Sequence, residues 1–151
     1  MKQLLITTVI LIGNFSFAIA QESEPELITE FFRNYETKGA DEAFDIIFST
    51  NKWILDSKGQ VENIKAQLKS TINLLGKYHG FEKIGVASVG KDLRLNTYLI
   101  KYERQPIRFS ILVYRPDEIW QLQNFSFDDN IDEELIEALK AYRLKENLPK
   151  F

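Results

Sequence analysis

Residues 81–127 read FEKIGVASVGKDLRLNTYLIKYERQPIRFSILVYRPDEIWQLQNFSF, and their two-residue period decides the fold. Alternation of this kind marks half-buried strands. Four strands are predicted, at about Glu82 to Val89, Leu93 to Glu103, Ile107 to Tyr114 and Ile119 to Phe127. Gly90-Lys91-Asp92, Arg104-Gln105-Pro106 and Arg115-Pro116-Asp117-Glu118 separate them. Joints so short and so rich in turn residues fit hairpins, and successive hairpins give an antiparallel meander. In the third strand Ile107, Phe109, Ile111 and Val113 share one face, with Arg108, Ser110, Leu112 and Tyr114 on the other. In the fourth, Ile119, Phe125 and Phe127 stand against Trp120 and Leu122.

Outward from the strands the period is helical. Upstream, Val61, Ile64, Leu68, Ile72 and Leu75 form one stripe, predicting a helix from about Lys58 to Lys77 with Gly80 as its stop. Before it, Ala43, Phe44, Ile47 and Phe48 mark a second helix, with Trp53-Ile54-Leu55 as an apolar connection. The first helix begins at Ser23-Glu24-Pro25-Glu26, where Ser23 caps, Pro25 suits the first turn and Glu26 completes a capping box. It carries Leu27, Ile28, Phe31, Phe32 and Tyr35 and stops at Gly39. Downstream, Asp128-Asp129-Asn130 caps a last helix bearing Ile131, Leu135, Ile136, Leu139 and Tyr142. Asp132, Glu133 and Glu134 open that helix and Lys140, Arg143 and Lys145 close it, both in the sense the helix dipole favours. Residues Asn147 to Phe151 read as a frayed tail. The fold class is therefore α+β: N-terminal helices packed on a four-stranded antiparallel meander sheet, plus a C-terminal helix.

Residues 1–20 read as a cleaved secretory signal peptide. Lys2 supplies the positive charge, Leu4 to Ile12 the apolar run, and Ala18-Ile19-Ala20 the small residues of a cleavage site. Residues 21–151 then form a single domain, exported to the periplasm or the medium, with no membrane span after cleavage. The chain of 151 residues contains no cysteine, so its stability rests on an ordinary core. The same absence removes thiol nucleophiles and thiolate metal sites. One histidine and no cysteine leave no nitrogen- or sulfur-rich metal site within the chain. Asp128, Asp129, Asn130 and Asp132 lack the loop pattern of a calcium hand and read as a helix cap. No metal and no cofactor is expected. A net charge of −3 without basic blocks argues against a nucleic-acid partner.

Phe31-Phe32-Arg33-Asn34-Tyr35, Ala43-Phe44-Asp45 and Glu118-Ile119-Trp120-Gln121-Leu122, in a helices-then-meander order, resemble the cone-shaped α+β superfamily. That superfamily holds nuclear-transport-factor-like, ketosteroid-isomerase-like and SnoaL-like domains, with cystatins as architectural neighbours. The general look also resembles small exported proteins of Bacteroidota-type bacteria. The resemblance implies a cavity between helices and sheet that serves as an enzyme site, a ligand pocket or nothing, so function has to be argued from the site. An isomerase-like site needs a carboxylate and a tyrosine in an apolar cavity, and Tyr35, Asp45 and Tyr98 are the groups available. Val86-Ala87-Ser88-Val89-Gly90 lacks the glutamine and central valine of the cystatin inhibitory loop. Asn124-Phe125-Ser126 is a formal glycosylation sequon inside a predicted strand.

No catalytic residue is assigned. The expected function is a non-enzymatic exported module binding a small apolar ligand, a peptide or a protein partner. Its pocket candidates are Phe31, Tyr35, Phe48, Trp53, His79 and Trp120. His79 doubles as a helix-end residue that meets terminal carbonyls. The second sheet face is expected to carry Tyr98, Ile100, Tyr102, Leu112, Tyr114, Trp120 and Leu122. So aromatic a face calls for a cover, supplied by the last helix or by a homodimer through Tyr98, Tyr102 and Tyr114. A self-associating envelope protein and a cone-fold isomerase or hydrolase are the two alternatives.

Overall fold

The computed structural model describes residues 25–146, with side chains through residue 143. The expected signal peptide (1–20), the Ser23 cap and the tail (147–151) lie outside them. The order is α1 (Glu26–Lys38), α2 (Ala40–Ser49), α3 (Lys52–Asp56), α4 (Lys58–Leu75), β1 (Tyr78–Val89), β2 (Leu93–Tyr102), β3 (Ile107–Tyr114), β4 (Gln121–Asp128) and α5 (Ile131–Glu146). The strands pair antiparallel in the order β1-β2-β3-β4, so the meander is as predicted.

Three local differences follow from identifiable chemistry. The expected apolar connection at Trp53 is the short helix α3, because the Asn51 side chain accepts the Trp53 N–H at 3.0 Å and caps a turn there. α4 stops at Gly76 rather than Gly80, with φ at 80°. That left-handed conformation favours glycine, and a Cβ at position 76 would stand 3.0 Å from Glu103 Oε2. The chain is thereby free to start β1 at Tyr78, so His79 is a strand residue and not a helix end. The fourth strand begins at Gln121, leaving Trp120 just before it.

The core lies between the helical layer and one face of the sheet. α1 and α2 contribute Ile28, Phe31, Phe44 and Ile47, and the sheet contributes Tyr98, Ile100, Phe109, Ile111 and Leu122. Aromatic edges meet faces throughout, as between Phe44 and Phe125 at 4.7 Å and Phe109 and Phe125 at 5.1 Å. The residues flanking the cavity expected of a cone are thus packed against one another here.

Tyr98 and Tyr102, expected on an open dimer face, are buried in this core. Tyr98 pairs with Phe109 across the β2–β3 ladder, which fixes it on the helix side, and its ring meets Phe32 at 4.6 Å. Ile100 shares that face. Leu122 joins it as well, because an irregularity in the β3–β4 register brings both Leu122 and Phe125 inward. Leu112 and Tyr114 do lie on the opposite face, and Tyr114 is exposed.

Candidate functional site

β4 is an edge strand, and an edge leaves backbone groups without partners. Here the end of α2 closes part of that edge. Asn51 Nδ2 donates to the Leu122 carbonyl at 2.7 Å, and Thr50 Oγ1 accepts the Leu122 N–H at 3.0 Å. Both backbone groups of Leu122 are satisfied, and the Asn51 side chain holds α3 in place through Trp53 N–H at the same time. Asn51 is itself buried.

Beside this clip lies a groove of about 650 Å³. Ligand pockets span roughly 300–1,000 Å³. Its helical wall is made by Phe48, Trp53, Ile54, Val61 and Ile64, and its sheet wall by Tyr114, Gln121, Gln123, Asn124 and Phe125. Trp53 is 68% exposed, and Lys52 Nζ sits 4.9 Å from the centre of its ring. Gln60 completes the rim. Among the described residues, the side chains of Gln60, Gln121, Gln123 and Asn124 engage no other protein group; Gln60, Gln123 and Asn124 are exposed and Gln121 is half-buried. Lys52 is the one ionised side chain in the lining, which holds neither carboxylate nor histidine. The groove can therefore stack and hydrogen-bond a ligand.

Of the expected pocket residues, Phe48 and Trp53 line this groove. Phe31 and Tyr35 are core residues beneath α1. His79 is exposed on β1, at the opposite sheet edge from β4. Trp120 is half-buried between two guanidinium groups, 5.2 Å from Arg94 and 4.7 Å from Arg115.

The three groups available for an isomerase-like site do not converge. Asp45 is exposed and paired with Lys65 at 2.6 Å. Tyr35 is buried, and its hydroxyl meets that of Tyr102 in a short hydrogen bond. Burial first, and then Tyr102, push the Tyr35 phenol well above its ordinary range, so it stays protonated. Burial also raises Tyr102, against the hydrogen bond from Tyr35. Tyr78 is raised by burial and then by Glu36, to which its hydroxyl donates at 3.3 Å. These phenols behave as structural hydrogen-bonding groups.

Among the described residues, no group of three or more potential metal ligands comes together, and no helix is long and apolar enough to cross a membrane. Asp128 caps the chain before α5, accepting the Asn130 N–H at 3.0 Å, and pairs with Arg108 at 3.0 Å.

No protein-family description, no curated protein and no solved structure matches the chain.

Sequence reasoning missed Thr50, Asn51 and the amide rim. The signal for the first two was a polar pair directly after an amphipathic helix. For the rim it was Gln121-Leu122-Gln123-Asn124, where strand amides on an edge outnumber charges.

Proposed function

We propose that the chain is an exported, non-enzymatic binding module. Its ligand is a small uncharged molecule with one apolar face and several hydroxyls, the chemistry of a neutral saccharide. The observation that carries this reading is the pairing of an exposed tryptophan with a rim of four unengaged side-chain amides in a groove without carboxylates. An indole offers a broad apolar surface to the C–H face of a sugar ring. An amide offers both donors and an acceptor, which matches hydroxyls that need both. A charged ligand would find only Lys52, and a wholly apolar one would strip water from amides that gain no partner. The apolar ligand, peptide or protein partner expected from the sequence is narrowed in this reading to an amphipathic small molecule.

Export is supported by the charge, apolar run and small residues of positions 1–20. The helices-then-meander order supports the likeness to the cone-shaped α+β superfamily, with the site moved from the interior to the β4 edge. Native mass spectrometry of the protein from its own host tests both parts. The expected result is a chain starting at Gln21 that carries a neutral saccharide adduct, lost on Trp53→Ala. A chain starting at Met1 overturns export. An adduct that is anionic or peptidic, or that survives Trp53→Ala, overturns the ligand class or the site.

A further inference from the structure

α5 is 16 residues long and has an apolar stripe that is mostly exposed among the described residues. Leu135, Leu139 and Tyr142 are 60%, 61% and 61% exposed, and Ile136 is 50% exposed. The body holds the helix by its first turn, where Glu134 pairs with Arg108 of β3, which also pairs with Asp128 at the end of β4. Helices of this length are marginal in water unless an apolar face is packed. Four large apolar side chains repeated at helical spacing on one exposed helix call for a cover.

The charges along α5 indicate what the cover is. Asp132, Glu133, Glu134 and Glu137 fill its first half, and Lys140 and Arg143 its second. Asp132 and Arg143 are 11 residues apart. At 3.6 residues per turn that separation is close to three full turns, so the two charges stand on the face of the stripe itself, one at each of its ends. A helix of this kind is complementary to itself when reversed. Turned antiparallel about a two-fold axis, each Asp132 meets the Arg143 end of the other copy, and the apolar stripes face each other. A parallel pair would set the acidic halves side by side. The acidic polar face also disfavours an anionic lipid surface, which calls for lysines and arginines there.

We propose that α5 pairs antiparallel with α5 of a second copy of this chain, about an axis near residues 137–138. The contact is isologous and closes at two copies. One helix pair buries less than the ~1,200 Å² of a stable interface, so the dimer is weak and its population rises with concentration. The groove lies on other elements, so ligand binding and pairing are read separately.

The test uses the protein purified from its host, by sedimentation and by cross-linking. The wild type is expected to move from one-chain to two-chain mass as concentration rises. Leu135→Lys with Leu139→Lys is expected to hold it at one chain while thermal unfolding of the body is unchanged. The natural chain has no cysteine, so single cysteines report the geometry cleanly. Leu139→Cys lies at the centre of the stripe, within two residues of the axis, and should form a covalent dimer on oxidation. Tyr142→Cys should not, because about nine residues of rise, roughly 14 Å, separate the two copies, beyond the ~7 Å Cα limit of a disulfide. One-chain mass at every concentration overturns the proposal. So does a dimer that survives the lysine pair, equal cross-linking at 139 and 142, or binding to phosphatidylglycerol vesicles without dimerisation.

Discussion

Asn51 and Leu122 stand 71 residues apart in sequence, yet the Asn51 amide donates to the Leu122 carbonyl at 2.7 Å. This bond joins the end of α2 to the edge of β4 and sets one wall of the groove against the other. Its partner bond, from the Trp53 N–H to Asn51 Oδ1, carries the constraint into α3. A single buried side chain thus fixes both the sheet edge and the tryptophan.

Replacing Asn51 with alanine leaves the Leu122 carbonyl and the Trp53 N–H without that partner. The expected loss is about 1–3 kcal/mol, read as a lower urea midpoint. Asn51→Asp keeps the acceptor for Trp53 but sets a carboxylate against a carbonyl, so it should lose at least as much as alanine. Equal stability of Asn51→Ala and wild type contradicts the clip.

Gly76 and Gly39 should respond to alanine for different reasons. Both have positive φ, 80° and 95°. A Cβ at Gly39 meets nothing within 4 Å, whereas at Gly76 it meets Glu103. Each alanine should cost about 1–3 kcal/mol for the backbone. Glu103→Ala should recover part of the loss at Gly76 and none at Gly39. Chemical denaturation of the four variants checks the pattern; recovery at both positions contradicts it.

Asn96 is fully buried on the helix face of β2, and among the described residues neither its amide oxygen nor its nitrogen meets a hydrogen-bond partner. Leucine has a similar shape and no polar group to desolvate. Asn96→Leu should raise stability by about 1–2 kcal/mol, seen as a higher Tm. A lower Tm would mean that the amide is satisfied in solution.

Alkaline pH should weaken the fold. Tyr35, Tyr78 and Tyr102 all have raised phenol ionisation in the folded state, with burial as the leading cause. Free tyrosine ionises near pH ~10. Above that, the unfolded chain loses protons that the folded chain retains, so the stability these groups contribute is intact below about pH 10 and falls as pH rises further. Denaturant midpoints measured from pH 8 to 12 check this. Tyr35→Phe should flatten the alkaline slope while lowering stability near neutrality through the lost bond to Tyr102.

Most of the architecture was legible because it rests on period. The five-residue stripe of α4 and the alternation of Ile107 to Tyr114 each have one reading. The face of β2 did not. Leu93, Leu95 and Leu99 lie on one side and Tyr98, Ile100 and Tyr102 on the other, so both sides look apolar and tyrosine hydroxyls suggest water. Only pairing with Phe109 settles the orientation. The register irregularity that turns Leu122 inward leaves no mark in composition. Phe48 and Trp53 were found as aromatics near a helix end, but the groove they line depends on Asn51 reaching Leu122, a contact no local pattern encodes. Gly76 and Gly80 are equally good helix stops in sequence; the Tyr78–Tyr102 pairing decides between them.

The groove's role is tested most directly by titrating the wild type and Trp53→Ala, side by side, against an array of neutral and charged glycans. Binding to one class of neutral glycan is expected, weakened at least tenfold, or ~1.4 kcal/mol, by Trp53→Ala and also by Gln123→Ala. Binding to no neutral glycan, or equal binding by the wild type and Trp53→Ala, contradicts the account.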